Sequence, residues 1–379
     1  MRTETACVHA GGRFDPATRG INTPIYTSSA YEYLDGDARP YPRYFNTPNQ
    51  TAVVEKLCAL EGADDGIVLS SGMAAISSVL LALLGSGDHA VVQDEIYGGT
   101  HAMVTQHFDR LGIAYTLVPA DPTKIAEAVT EKTRLVYIET PTNPLLTILD
   151  IRTVTRMARE RGIVTVIDNT FASPINQRPL ALGVDVSVHS ATKYLGGHSD
   201  LCSGAVLASR AIVQKVRHMC LSLGGSLDAQ SCYLLERSLK TMALRVERQS
   251  ANALAIATAL AANRLVSRVY YPGLPSHPGH ETAKAQMSGF GGMLSFELAD
   301  TVDTNRFLHA LEFVKPALSL GGVESTICAP ATTSHAKVSA EVRKRLGISD
   351  GLLRFSVGIE HADDLVADLE QAMEKGRKG

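Results

Sequence analysis

Gly66-Ile67-Val68-Leu69 reads as a short apolar strand, Ser70-Ser71-Gly72 as a turn, and Met73-Ala74-Ala75-Ile76 as the start of a helix that runs on to Leu84. The first backbone N–H groups of such a helix have no partner inside it, and the peptide dipoles place partial positive charge there. The junction is therefore an anion site, with Ser71, Gly72 and Met73 as its natural donors. On either side the same grammar repeats: helix Val53–Leu60 before it, then strand Ala90–Gln93, helix Thr100–Leu111, strands Ala114–Val118 and Leu135–Glu139, helix Asp150–Glu160 and strand Val164–Ile167. Strands alternating with helical periodicity predict an α/β protein whose large domain is a mainly parallel, doubly wound sheet. In such sheets ligands collect at the carboxyl ends of the strands.

Two charged residues at or just past strand ends bear on the chemistry. Asp168 closes the run Ile163-Val164-Thr165-Val166-Ile167, and a carboxylate there is costly unless a cation or donor meets it. Lys193 stands in Ser190-Ala191-Thr192-Lys193-Tyr194-Leu195-Gly196-Gly197-His198-Ser199-Asp200, just after the apolar segment Val184–Val188. A lone lysine beside paired glycines is ordinarily a solvated loop charge, and a lone Asp after a strand ordinarily caps the next helix. Together at neighbouring strand ends they are what pyridoxal 5'-phosphate requires: an amine to condense with its aldehyde and an acid to hold its ring nitrogen protonated. Ser190 and Thr192 add short hydroxyl donors of the kind a phosphate monoester wants, although turn capping would use them equally well. Thr170 follows Asp168 on the same side of an extended segment. Tyr97, in Ile96-Tyr97-Gly98-Gly99, offers a ring that could stack on a flat cofactor or fill a core. Arg354 interrupts an apolar strand, Leu352-Leu353-Arg354-Phe355, where it needs either a planar anion such as an amino-acid α-carboxylate or an internal salt bridge.

The remaining composition narrows the class. The 379 residues, 45% hydrophobic and 20% charged with a formal charge of −3, suit a globular chain with a large and a smaller domain. No basic stripe recommends nucleic acid as a partner. The longest apolar run, Val79–Leu84, is too short to span a bilayer, and the polar start Met1–Thr5 is unlike a signal peptide. Six scattered cysteines lack metal or redox spacing and read as buried thiols in a reducing, cytoplasmic compartment, with no metal site. Residues 1–45, rich in proline and glycine, read as an extended arm. Residues 46–245 read as the cofactor domain and residues 246–379 as a smaller C-terminal α/β domain. Leu234–Ala262 reads as one long helical stretch, and Lys375–Gly379 as a frayed tail.

The chain also resembles the Cys/Met-metabolism family of pyridoxal phosphate enzymes, the cystathionine γ-synthase-like branch of the aspartate aminotransferase fold (fold type I). The resemblance spans nearly the whole chain through Tyr41-Pro42-Arg43, Ser71-Gly72-Met73, Glu139-Thr140-Pro141-Thr142-Asn143-Pro144, Asp168-Asn169-Thr170, Ser190–Asp200, Tyr270–Leu274, Gly289–Met293, Ser319–Ser325 and Arg354. It implies that Lys193 joins the cofactor and moves protons, that Asp168 pairs with the ring nitrogen, and that Tyr97 stacks on the ring and assists catalysis. Gly72, Met73, Ser190 and Thr192 are implied phosphate ligands, with Tyr41 and Arg43 reaching the phosphate of an adjacent subunit. Arg354, with Ser319 and Asn143, is implied to grip the substrate carboxylate. The implied assembly is a homotetramer of two dimers that share active sites, acting on a small amino acid.

Departures from the family pattern bear on the substrate. Cystathionine-handling relatives commonly carry a glutamate where this chain has Leu318, and an apolar side chain cannot compensate a desolvated ammonium. A neutral or thioether tail is expected instead. Methionine γ-lyases share an aliphatic residue there but usually carry a cysteine at the position of Gly99. Arg43–Asn49 and Cys328-Ala329-Pro330 also differ from the usual segments. The expected reaction is γ-elimination giving 2-oxobutanoate and ammonia, with γ-replacement and then cystathionine β-elimination as alternatives.

Overall fold

The computed structural model describes residues 1–34, 39–333 and 347–378. The chain forms two compact units, one of Met1–Glu139 with Asp150–Ala243 and one of Thr140–Leu149 with Leu244–Gly379.

The first unit runs α1 (Thr3–His9), α2 (Pro48–Glu61), β1 (Asp65–Leu69), α3 (Gly72–Leu83), β2 (His89–Gln93), α4 (Gly98–Leu111), β3 (Ala114–Val118), α5 (Pro122–Glu127), β4 (Thr133–Glu139), α6 (Ile151–Glu160), β5 (Val164–Asp168), α7 (Ser173–Asn176), β6 (Val186–Ser190), β7 (Gly204–Ala208), α8 (Arg210–Leu223) and α9 (Ala229–Leu239). Its seven-stranded sheet has the order β1-β7-β6-β5-β4-β2-β3. Strands β6, β5, β4, β2 and β3 are parallel to one another, whereas β7 is antiparallel to both β6 and β1. Two reversals restore the direction, so β1 ends at the same edge as β4, β5 and β6. Leu69 and Ser190 both pair with Gly204. Glu139 pairs with Asp168, and Asp168 with Val188. This register lines the predicted cofactor residues along one sheet edge. Ile67, Leu69, Val188 and Val206 of the strands, with Ile76, Val79 and Leu80 of α3, form the buried core beneath it.

The polypeptide passes into the second unit through α10 (Met242–Ala262), followed by β8 (Val266–Tyr270), α11 (His280–Gln286), β9 (Met293–Leu298), α12 (Thr304–Ala310), β10 (Lys315–Pro316), β11 (Thr326–Cys328), β12 (Leu352–Ser356) and α13 (Ala362–Lys375). The five-stranded sheet, β10-β11-β12-β9-β8, is antiparallel except for the β10/β11 pair. Leu294, Phe296, Leu353 and Phe355 bury against Ile256 and Leu260 of α10 and Leu365, Leu369 and Met373 of α13.

Four sequence expectations are corrected. The N-terminal segment is not wholly extended, because Thr3–His9 is a helix with Ala6 and Cys7 buried. The buried Lys56 ammonium donates to the carbonyls of Cys7 and Val8, satisfying orphan groups at that helix's C-terminal end. The long helical stretch is two helices, broken where Lys240 and Thr241 turn their amides to the Arg237 and Ser238 carbonyls. The tail is anchored, since the Lys378 amide donates to Thr301 O and Arg377 bridges Val302. Of the cysteines, Cys202 is exposed in the loop before β7 and Cys58 is half-buried, while the other four are buried. Among the described residues no helix is long and apolar enough to cross a membrane.

Asp368 on α13 holds the approach to β10 in place. Its Oδ1 accepts from the Glu312 amide and its Oδ2 from the Phe313 and Val314 amides, at 2.8, 2.8 and 2.9 Å. Burial opposes its charge, but these amides and the Gln371 side chain prevail and hold the carboxyl below its ordinary 3.8. A depressed folded pKa means that stability is present above the unfolded value and lost as pH falls through the folded one. Asp368→Asn is expected to cost about 1–3 kcal/mol at neutral pH. Urea denaturation should show the gap to the wild type closing as pH falls below 3.8.

Candidate active site

In the first unit, Asp168 ends β5 and is buried. Its Oδ1 accepts from the Thr170 amide at 3.0 Å. Burial pushes the carboxyl up from its ordinary value, against the pull of the Thr170 bonds and the His189 imidazole. A buried acid in that state is stabilised by any cation brought to it, and a protonated pyridine ring is one. The Thr170 hydroxyl accepts from the Ser190 amide at 2.8 Å, so Thr170 joins the end of β5 to the end of β6. Beyond Ser190 the chain turns tightly: the Lys193 amide donates to Ser190 O, Gly196 N to Ala191 O and Gly197 N to Lys193 O. Lys193 is thereby held, half-buried, one short loop past the strand. The Thr192 hydroxyl is engaged with Ser203, donating to its carbonyl at 3.2 Å and accepting from its amide at 3.0 Å, which fixes the same loop to the start of β7.

The anion cradle is built by close approach. A Cβ added to Gly72 would lie 2.8 Å from Ser190 Cβ and 3.0 Å from Ser190 Oγ, so only glycine lets the head of α3 settle on the end of β6. Ser71 caps that 12-residue helix by accepting from the Ala74 amide, and Ala75 N donates to Ser71 O. The amides of Gly72 and Met73 are left for an outside acceptor, next to the Ser190 hydroxyl.

Tyr97, 48% exposed, caps α4 at the same edge. Its amide donates to Glu139 Oε2 at 2.8 Å, and Gln93 bonds both the amide and the carbonyl of Glu139. Glu139 and Gln93 were not among the sequence candidates. They end β4 and β2, and their position on the shared edge was the available signal. A side chain at Gly99 would run into the Tyr97 ring and lie 2.7 Å from Met73 Sδ, so Gly99 reserves the space the ring occupies. Tyr41 and Arg43 stay exposed: Tyr41 meets the Tyr44 ring edge-on at 5.0 Å and Arg43 Nη2 donates to Leu221 O.

In the second unit, Arg354 on β12 is buried. Its Nη1 donates to Asn143 Oδ1 and its Nη2 to Ser319 O, both at 3.1 Å. Its Nε is buried with no partner among the described residues. Two neutral acceptors and one orphaned donor leave the guanidinium charge uncompensated, a state that a carboxylate completes. Ser319 contributes its carbonyl to Arg354, from a left-handed backbone at φ 74°. Its neighbour Leu318 is 65% exposed.

In the first unit, helix amides for a dianion, a buried acid for a flat cation and a lysine for an aldehyde fit the demands of pyridoxal 5'-phosphate; in the second, Arg354 fits a carboxylate. The protein is accordingly a pyridoxal phosphate enzyme of fold type I. Residues 4–374 match the family described as "Cys/Met metabolism PLP-dependent enzyme", and the chain belongs to that family. It is 44% identical over 378 residues to a cystathionine beta-lyase of Lactococcus lactis subsp. cremoris, covering 98% of this chain and 99% of that protein. It is 43% identical over 378 residues to a cystathionine gamma-lyase of Bacillus subtilis, covering 99% and 100%. A solved structure of cystathionine gamma-lyase from Lactobacillus plantarum complexed with L-serine superposes with TM-score 0.95 at 39% identity, covering 99% of each chain.

Because a methyl group at residue 72 must displace Ser190, Gly72→Ala is expected to weaken cofactor binding about tenfold. Titrating apoenzyme with pyridoxal 5'-phosphate and following absorbance measures it.

Proposed function

We propose that the enzyme, consuming a water, removes the γ-substituent of a sulfur-containing or O-substituted L-homoserine-type amino acid, giving 2-oxobutanoate, ammonia and the departing group. The observation that carries this reading is the buried Arg354 with its orphaned Nε, followed closely by the apolar Leu318 beside Ser319. Arg354 would orient the substrate by its α-carboxylate. Bound pyridoxal phosphate would supply the electron sink that makes the Cα proton removable. The Lys193 amine is the base suited to take that proton and to carry protons onward between Cα, Cβ and Cγ. Tyr97, with its amide fixed by Glu139, would stack on the ring and present its hydroxyl to the leaving group. Ser190 with the Gly72 and Met73 amides would hold the phosphate, while the Thr192 hydroxyl, expected there too, is spent on Ser203. Tyr41 and Arg43, exposed on their own subunit, would serve the phosphate of an adjacent one in a homotetramer of site-sharing dimers. Leu318 disfavours a cationic distal group because it offers no compensating charge.

Cystathionine β-elimination is the second reading, favoured by the 44% identity to the Lactococcus cystathionine beta-lyase. It yields pyruvate, whereas γ-elimination yields 2-oxobutanoate, and γ-replacement yields a new thioether with no keto acid. The test incubates purified holoenzyme with L-methionine, L-homocysteine, O-substituted homoserines and L-cystathionine, with and without added thiol, and identifies products by mass spectrometry. We expect 2-oxobutanoate from the uncharged-tail substrates to predominate. Pyruvate from cystathionine as the dominant product overturns the γ-elimination reading.

Arg354→Ala should raise KM at least about tenfold for every active substrate, because a charge-assisted pair is lost. Arg354→Lys should recover only part of it, since an ammonium cannot offer the planar fork. Steady-state kinetics on the best substrate checks both.

A further inference from the structure

Behind the strand ends that carry the cofactor groups lies a buried polar cluster that the reaction does not use. Glu61, the last residue of α2, is fully buried. Its Oε1 accepts three bonds: from Asn169 Nδ2 at 3.2 Å, from the Ser187 hydroxyl, and from His189 Nε2 at 2.7 Å. Ser187 and His189 lie two apart on β6 and so face the same side of the sheet, while Val188 and Ser190 face the other. Asp168 pairs with Val188, which puts it on the Ser190 side, and Asn169 follows on the Glu61 side. Asn169 is further locked by reciprocal bonds with Gln177, 3.0 Å each way.

The ends of β5 and β6 are thus pinned twice. On one face Thr170 joins Asp168 to Ser190, and on the other a single carboxylate oxygen joins Asn169 to Ser187 and His189. Burying an acid and an imidazole away from water is expensive, and an apolar pair of similar volume would commonly be as stable. Glu61 Oε2 and His189 Nδ1 are moreover buried without partners among the described residues. Stability alone does not account for such a cluster.

We propose that Glu61 and His189 are positioning residues for the cofactor, clamping β5 to β6 from the far side of the sheet so that Asp168 is held at a fixed distance from the Ser190–Lys193 loop. The clamp depends on the cofactor and not on which substituent leaves, so its test is independent of the substrate reading. His189→Leu removes the N–H donor to Glu61. His189→Gln keeps a donor of similar reach. Glu61→Gln keeps an acceptor but removes its charge.

Each apoprotein, its fold checked by circular dichroism and gel filtration, is titrated with pyridoxal 5'-phosphate. The 15N signal of the ring nitrogen of bound, labelled cofactor is then recorded. We expect His189→Leu and Glu61→Gln each to weaken binding about tenfold and to move the ring signal toward the unprotonated form. The double variant should be no worse than the weaker single, because the two residues act as one contact. His189→Gln should restore both readouts. Wild-type affinity and an unmoved ring signal in folded His189→Leu, with loss confined to melting temperature, overturn the proposal. So does a His189→Gln variant as impaired as His189→Leu, a comparison that stands even where Glu61→Gln fails to fold.

Discussion

The burial of Asp168 at the end of β5 is a costly commitment of this chain. A carboxylate withdrawn from water must be neutralised, hydrogen-bonded or matched by a cation, and here its own chain gives it the Thr170 amide and a moderating imidazole, with burial still prevailing. The fold therefore holds a carboxyl whose ionised form a cation brought beside it would favour. Everything else at the sheet edge follows from where that acid stands. The parallel run of β4, β5 and β6 brings Glu139, Asp168 and Ser190 to adjacent ends, and the antiparallel β7 returns β1 to the same edge, so that α3 starts beside Ser190.

The second unit repeats the logic with the sign reversed. Arg354 is buried, shares two of its nitrogens with neutral oxygens and keeps one unsatisfied among the described residues. A guanidinium so placed gains little from its own surroundings and much from an arriving carboxylate. The left-handed turn at Ser319 that supplies one of those oxygens costs of the order of 1–3 kcal/mol, strain of a kind that folds keep where a ligand must be met. Asp368 anchors the chain a few residues earlier, so the acid of α13 indirectly steadies the loop that carries Leu318 and Ser319.

What the sequence made legible were groups standing at the carboxyl ends of apolar strands. Asp168, Ser190 and Lys193 could be read because short, largely apolar segments announce strands and the polar residues that follow lie at or just past their ends. Gly72 could be read because strand, glycine and helix in succession leave few conformations. Glu61 could not: a glutamate at the end of an amphipathic helix reads as a solvated charge, and only the register of β5 on β6 brings Asn169, Ser187 and His189 to it. Glu139 hid among the threonines and prolines that follow it, and its bond to the Tyr97 amide depends on the β2/β4 pairing. The helix at Thr3–His9 escaped notice because its stability comes from Lys56, distant in sequence, and not from its own propensity.

Substrate choice belongs to a different set of residues from cofactor chemistry, and this explains why relatives named for β-elimination and for γ-elimination are about equally similar to this chain. The groups that hold a phosphate, a ring nitrogen and an α-carboxylate have the same task whichever bond breaks. Discrimination must come from side chains that meet the distal part of the substrate, and it scales with what those side chains leave unpaired when the wrong tail enters. A methylene more or less in an apolar contact changes binding by about 1–3 kcal/mol, whereas an ammonium desolvated without a partner loses hydration that nothing replaces.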